Sequence, residues 1–349
     1  MDSITQAALG AAVAEAGLGK RIGNKAILWG LLFGTLPDLD IIVYPFLDTA
    51  DQLSWHRGLS HSFLFMILGA PLLGALLHKV HKEKAPFRTA TLTCFWILFT
   101  HALIDCFTVY GTQIFEPVSD HRAGLNNLFI IDLLYTIPIL AGLTASLFLK
   151  RTGKARFWAN SAGLILSSLY VVWSFGAKGL IHHRIHSELE RQNISYHRVM
   201  THPTPFNTVL WRALIENEEG YYVGYASLLD SDPKVDLRFI PRKAHLLAPV
   251  KETRSVQRLL WFSKGYYMVR VRDEQLQFSD LRFGEFEHPD GTLSSIFTWA
   301  IEPGGRDSTI QQVRRKVPEG AFSKIWERLL GNREEAQMDL DELGQQPTS

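Results

Sequence analysis

The chain has 349 residues, with 36 Lys and Arg against 35 Asp and Glu and a formal net charge of +1. So balanced a charge argues against a nucleic-acid footprint, and no nucleic-acid partner is expected. A mean hydropathy close to zero hides two unlike halves: long apolar runs recur through residues 1–180, whereas residues 181–349 are polar and charged. The length leaves room for two domains.

The first stretch, MDSITQAALGAAVAEAG, lacks the basic start and strong apolar centre of a signal peptide and carries Asp2 and Glu15. It reads as a retained helix. Residues 4–18 and 26–36 are short and rich in Ala and Gly, a composition that favours close helix packing. They predict a thin or tilted hairpin. Residues 63–77 with their flanks, 89–107, 128–149 and 158–181 approach the ~20 apolar residues of a helical crossing. The expected architecture is an α-helical integral membrane bundle of about six segments, the first two short, followed by a β-rich α+β soluble domain. The expected boundaries are 1–181 for the helical part and 190–330 for the β-rich part, with an acidic, disordered tail at 331–349. NTVLWRALI, GYYVGYASLL and GYYMVRVRDEQLQF, bounded by Gly, Asp and Pro, read as strands of the second domain. Cys94 and Cys106 stand twelve positions apart in one helical segment, ~18 Å along its axis, too far for a disulfide.

Charge in the connections orients the bundle. One alternate set holds Lys20, Arg21, Lys25, Lys79, Lys82, Lys84, Arg88, Lys150, Arg151, Lys154 and Arg156, and the other only Arg57 and Arg122. The positive-inside rule makes the first set cytoplasmic. Both termini and the second domain are then expected outside the cytoplasm.

The outer connections carry the chemistry. Residues 34–62, GTLPDLDIIVYPFLDTADQLSWHRGLSHS, concentrate Asp38, Asp40, Asp48, Asp51, His56 and His61 between two apolar stretches. Pro37 ends the preceding helix, and Ser60 and Gly58 suit a turn before the next one. HALID sets His101 and Asp105 four apart, on one face of an apolar helix. Ionisable groups at that depth are costly unless paired, hydrated or bound to metal. A simple His–Asp hydrogen bond between helices is the plainer alternative. Imidazole plus carboxylate is the donor mix of zinc and related divalent sites. Such a site would acidify a water and polarise a scissile carbonyl or phosphoryl group, with an unliganded carboxylate as general base.

MDSITQAALG, GTLPDLD, HRGLSHS, HALID and YGTQIFEPVSDHR…FIIDLLYTIP together resemble the YdjM-like, membrane-bound metal-dependent hydrolases of bacteria. Some of these are described as LexA-binding inner-membrane proteins. The resemblance covers residues 1–180. It implies bacterial inner-membrane localisation and a distant likeness to zinc-dependent phospholipase C and P1-type nucleases. It further implies a divalent metal, zinc as the first choice, held by Asp38, Asp40, His56, His61, His101 and Asp105. Asp38 and Asp40 are then also the catalytic carboxylates. Many members carry His where this chain has Gln6. Arg122, with Asp120 and Asp132, belongs to the same pattern, either binding an anionic group of the substrate or bracing loop to helix through an Arg–Asp pair.

The function expected is a membrane-bound metal-dependent hydrolase of a phosphoester or lipid-derived substrate, with membrane lipid and a small-molecule or lipid substrate as partners. The alternative is a non-catalytic ion-binding transporter or scaffold. Glu15 is expected to pair with Lys20, and His78 and His81 to be solvated. His182, His183 and His186 read as interfacial anchors more than as a second metal site.

Overall fold

The computed structural model describes residues 1–272, 274–287, 293–304, 307–313 and 320–332. The chain divides into two units. The first comprises Met1–Phe46, Trp55–Gly176 and Pro205–Asn207; the second comprises Leu47–Ser54, Ala177–Thr204 and the described residues from Thr208 onward. The acidic tail expected at 331–349 lies, beyond Asn332, outside the described residues.

In the first unit, α1 (Ser3–Ile22) starts where the Asp2 carboxylate accepts the backbone N–H groups of Ile4 and Thr5, at 3.1 and 3.0 Å. It stops at Gly23, whose φ of +63° turns the chain into α2 (Asn24–Thr35). Gly10, Gly30 and Gly34 let the two helices touch backbone to backbone. A Cβ on Gly30 would stand 2.4 Å from the Gly10 carbonyl oxygen, and one on Gly34 2.7 Å from that of Gln6. The expected small-residue hairpin is therefore present, and α1 is largely buried within its unit.

After a 3-10 turn (Pro37–Phe46) and the short α3 (Thr49–Trp55) come α4 (Phe63–His81) and α5 (Phe87–Cys106). They are followed by α6 (Leu133–Phe148) and α7 (Lys154–Arg191). Among the described residues, three helices are long and apolar enough to cross a membrane: Phe63–Lys84, Phe87–Cys106 and Lys154–Arg191. A fourth crossing arises if Asn24–Thr35 and Pro37–Phe46, bent by 42°, form one broken span. Six crossings are thus more than these criteria recognise. α1 is too Ala- and Gly-rich, being sheltered inside its unit, and α6 is only 16 residues long. The Asp132 carboxylate caps α6 by accepting Tyr135 N–H, so residues 128–132 stay outside the helix. Leu64, Ile67, Leu68 and Leu72 on α4 and Leu169 and Val172 on α7 lie exposed, the inverse of a water-soluble surface. Cys94 and Cys106 are both buried and are not joined in a disulfide.

The helix α7 continues past residue 181 to Arg191, since its polar end keeps good helix formers. The second unit then builds two four-stranded antiparallel meanders. The first orders β1 (Arg198–Pro203), β2 (Leu210–Glu216), β3 (Gly220–Ser227) and β4 (Arg238–Pro241). The second orders β5 (Tyr267–Arg272), β6 (Gln275–Glu287), β7 (Leu293–Glu302) and β8 (Thr309–Gln312). Helices α8 (Arg254–Phe262) and α9 (Ala321–Leu329) accompany them.

Candidate metal centre

Three chain segments of the first unit deliver four donor atoms to one point. His101 and Asp105 stand one turn apart on α5, 1% and 0% exposed. Asp38 comes from the 3-10 turn after α2, and His61 closes the turn Leu59–His61 that precedes α4. The Nε2 atoms of His61 and His101 are 3.1 Å apart. Asp38 Oδ1 lies 3.3 Å from the first and 3.5 Å from the second. Asp105 Oδ2 lies 3.4 and 3.8 Å from the same pair. All four atoms fall within 4.8 Å of one another.

What the other side of each donor does is equally specific. His101 Nδ1–H donates to the Gly34 carbonyl at 2.7 Å, which leaves Nε2 as the lone pair facing inward. His61 Nδ1 meets Ser60 Oγ at 2.8 Å, and that hydroxyl lies 3.1 Å from Asp40 Oδ2. Asp105 Oδ1 accepts from Gln6 Nε2 at 3.0 Å, lies 3.1 Å from Arg57 Nη2 and contacts the Met1 amino group. Asp38 Oδ1 and Asp105 Oδ2, by contrast, are buried oxygens that accept no hydrogen bond. A buried carboxylate oxygen left so is costly, and a cation shared with two imidazoles satisfies both. The donor set, two nitrogens and two oxygens without sulfur, fits a divalent ion such as zinc.

Asp40 and His56 stand one step outside this ring. Asp40 Oδ1 pairs with His56 Nδ1 at 2.9 Å, while Oδ2 accepts the Arg57 N–H at 3.0 Å. The six residues grouped by the resemblance therefore separate into four convergent donors and one His–Asp pair. Gln6 supports Asp105 through its amide N–H, so it serves as a brace.

Arg57 was not expected as part of the site. Its backbone sits in the left-handed region, φ +58°, held by Asp40 and by Gln113 N–H donating to its carbonyl at 2.9 Å. Such strain in a non-glycine residue persists where surrounding bonds over-determine it. Its signals in the sequence were its place inside HRGLSH and its being, with Arg122, one of two basic residues in the outer connections. Arg122 donates to the His56 carbonyl at 2.7 Å, and the guanidinium groups of Arg57 and Arg122 lie 4.9 and 4.7 Å from the Tyr110 ring centroid.

Other expected residues fall elsewhere. Asp132 caps α6 and accepts Tyr170 OH at 3.1 Å, and Asp120 is exposed. Glu15 pairs with Arg156, not Lys20: the guanidinium grips both oxygens at 2.6 and 2.7 Å, while Lys20 lies over Phe157. His78 and His81 are held rather than solvated. His78 Nδ1–H donates to the Ala85 carbonyl at 3.0 Å, and His81 Nε2 accepts Trp29 Nε1–H at 2.9 Å.

Comparison with known proteins places this helical unit among relatives. The chain is 24% identical over 315 residues to the "Uncharacterized protein YfhP" of Bacillus subtilis (strain 168), spanning 82% of this chain and 88% of that one. It is 29% identical over 114 residues to the "Inner membrane protein YbcI" of Escherichia coli (strain K12), spanning 30% and 62%. No solved structure matches. The model of the family described as YdjM inner membrane protein matches residues 1–185, which hold every donor of the Asp/His cluster, and the chain belongs to that family.

Proposed function

We propose that the protein is a membrane-bound, metal-dependent hydrolase with its ion among Asp38, His61, His101 and Asp105. The observation that carries this reading is the pair of buried carboxylate oxygens without hydrogen bonds, facing two inward imidazole nitrogens. When bound, a divalent ion supplies Lewis acidity, polarising a scissile ester and lowering the pKa of a water. Asp40 remains unliganded and fixes His56 through Nδ1. The half-buried His56 ring is thus free to take or return a proton at Nε2. Arg57 neutralises Asp105 and holds its carboxylate in place. Arg122, fixed on the His56 carbonyl, sets a cation beside that ring for an anionic substrate group. A phosphoester or lipid-derived ester is the substrate class we assign, following the resemblance of the motifs. We place the cluster and the C-terminal domain on the outer side of the inner membrane, from the charge asymmetry of the connections.

One observation favours a second reading. Four protein donors converge, the number that would close a structural zinc site, whereas catalytic zinc keeps a position open. A non-catalytic ion-binding transporter or scaffold follows from it. Detergent-purified protein, loaded with zinc and offered phosphodiesters, phospholipids and carboxylic esters, separates the two. Turnover without any gradient, abolished by chelator and by His56→Ala at unchanged zinc content, is the outcome expected of a hydrolase. Stoichiometric zinc with no turnover across the panel favours the ion-binding reading.

A further inference from the structure

We propose a second metal site, on the polar end of α7, in which His182 and His186 chelate a divalent transition ion such as zinc and Tyr196 orients His186. The two histidines are one helical turn apart and share a face. Their Nε2 atoms approach to 2.8 Å, with the rings edge to face at 4.3 Å between centroids. On its other side, His186 Nδ1 lies 2.8 Å from the Tyr196 hydroxyl oxygen. With Nδ1–H donating to that oxygen, the His186 Nε2 lone pair points at His182 Nε2. This is the arrangement by which an outer hydrogen bond fixes the tautomer of a metal-binding imidazole.

Two imidazole nitrogens brought this close need a proton or a cation between them. Bonds of ~2.0 Å to a tetrahedral ion set two nitrogens about 3.3 Å apart, so the rings need part by only about half an ångström. Imidazole suits zinc and copper among the common ions. Both rings are half-buried, so water would be able to reach the remaining positions of a bound ion. Two protein ligands make a labile site, in contrast to the four buried donors of the Asp/His cluster.

The test is zinc binding by the full-length, tag-free protein in detergent, over free zinc from about 0.1 to 100 μM. Wild type is expected to take up one more equivalent than His182→Ala/His186→Ala in the micromolar range. Tyr196→Phe should weaken that equivalent by roughly ten-fold, the usual effect of removing an outer hydrogen bond. His183→Ala, one residue off the stripe, should change nothing. A second readout uses wild type alone: micromolar zinc should protect His182 and His186, but not His183, from carbethoxylation by diethyl pyrocarbonate, followed by mass spectrometry. Identical isotherms for wild type and the double variant, or no protection of the pair, would overturn the site and leave a hydrogen-bonded His–His pair.

Discussion

At the scale of single residues, the distinction that matters is which oxygen of each carboxylate is satisfied. Asp105 uses Oδ1 for Gln6 and Arg57 and leaves Oδ2 for the cluster, so Asp105→Asn keeps the shape but removes half of the anionic charge there. His101→Ala and Asp105→Asn are each expected to lower zinc affinity at least ten-fold, measured by metal analysis after dialysis against a zinc buffer. His78→Ala, whose ring is held by the Ala85 carbonyl far from the cluster in sequence, should leave zinc content unchanged. Retained zinc in both cluster variants would remove the assignment. The residue types of this site were legible because acids and imidazoles in apolar surroundings demand a reason. Their division was not, since Asp38 and Asp40 are identical in kind and two residues apart. Only the tertiary approach of His56 to one, and of His61 and His101 to the other, separates their roles. A second residue-scale prediction lies in the β-sheet unit, at His202. Burial first, then the Arg212 guanidinium, pulls its pKa down to about 3. The unfolded chain takes up a proton near pH 6.5 that the folded one refuses, so stability is full above that value and falls as pH drops through it. His202→Gln should flatten that decline between about pH 7 and 5 in thermal melts, relative to wild type. Parallel slopes would show that other groups dominate it.

At the scale of elements, the helix hairpin and the β-hairpins show how far composition can be read. Ala and Gly in residues 4–36 pointed to close helix packing, and Gly10, Gly30 and Gly34 provide it. Gly30→Ala would drive its new methyl against the Gly10 carbonyl and the Ala11 backbone, neither of which can rotate away. The expected cost is about 1–3 kcal/mol, read as a lower melting temperature in detergent, together with weaker zinc binding because the Gly34 carbonyl orients His101. Gly176→Ala, where an added Cβ meets nothing within 4 Å, is the control and should melt like wild type. The run GYYMVRVRDEQLQF was less legible. It holds a hairpin, β5 and β6, paired from Tyr267↔Asp280 to Arg272↔Gln275. The chain reverses there with Glu274 at φ +60°, without the Gly or Asn that normally marks such a turn. The end of α7 was missed for a related reason. Polarity past residue 181 signals departure from an apolar environment, not the end of a helix.

At the scale of the whole helical unit, the two kinds of connection lie at opposite poles. α1 carries Gln6, which touches Asp105, in its second turn, and Lys20 and Arg21 in its last. α5 runs the other way, from Arg88 in its first turn to Asp105 at its end. Both helices have 20 residues, so each spans ~30 Å, the thickness of a bilayer's hydrocarbon core. The Arg151 side chain packs on Gly23 and Lys20 lies over Phe157, which draws the α1–α2 and α6–α7 connections together at the basic pole. If lysines and arginines stay cytoplasmic, the Asp/His cluster opens to the other side. Single cysteines report this directly, once the buried Cys94 and Cys106 have been changed to Ala. Val118, 92% exposed in the connection between α5 and α6, marks the cluster pole, and the exposed Glu83 marks the basic one. Val118→Cys is expected to react with an impermeant maleimide on intact spheroplasts, and Glu83→Cys only after permeabilisation. The reverse pattern would put the cluster in the cytoplasm. The proposed substrate would then have to come from the cytoplasm or the inner leaflet, whereas the convergence of the four donors would stand unchanged.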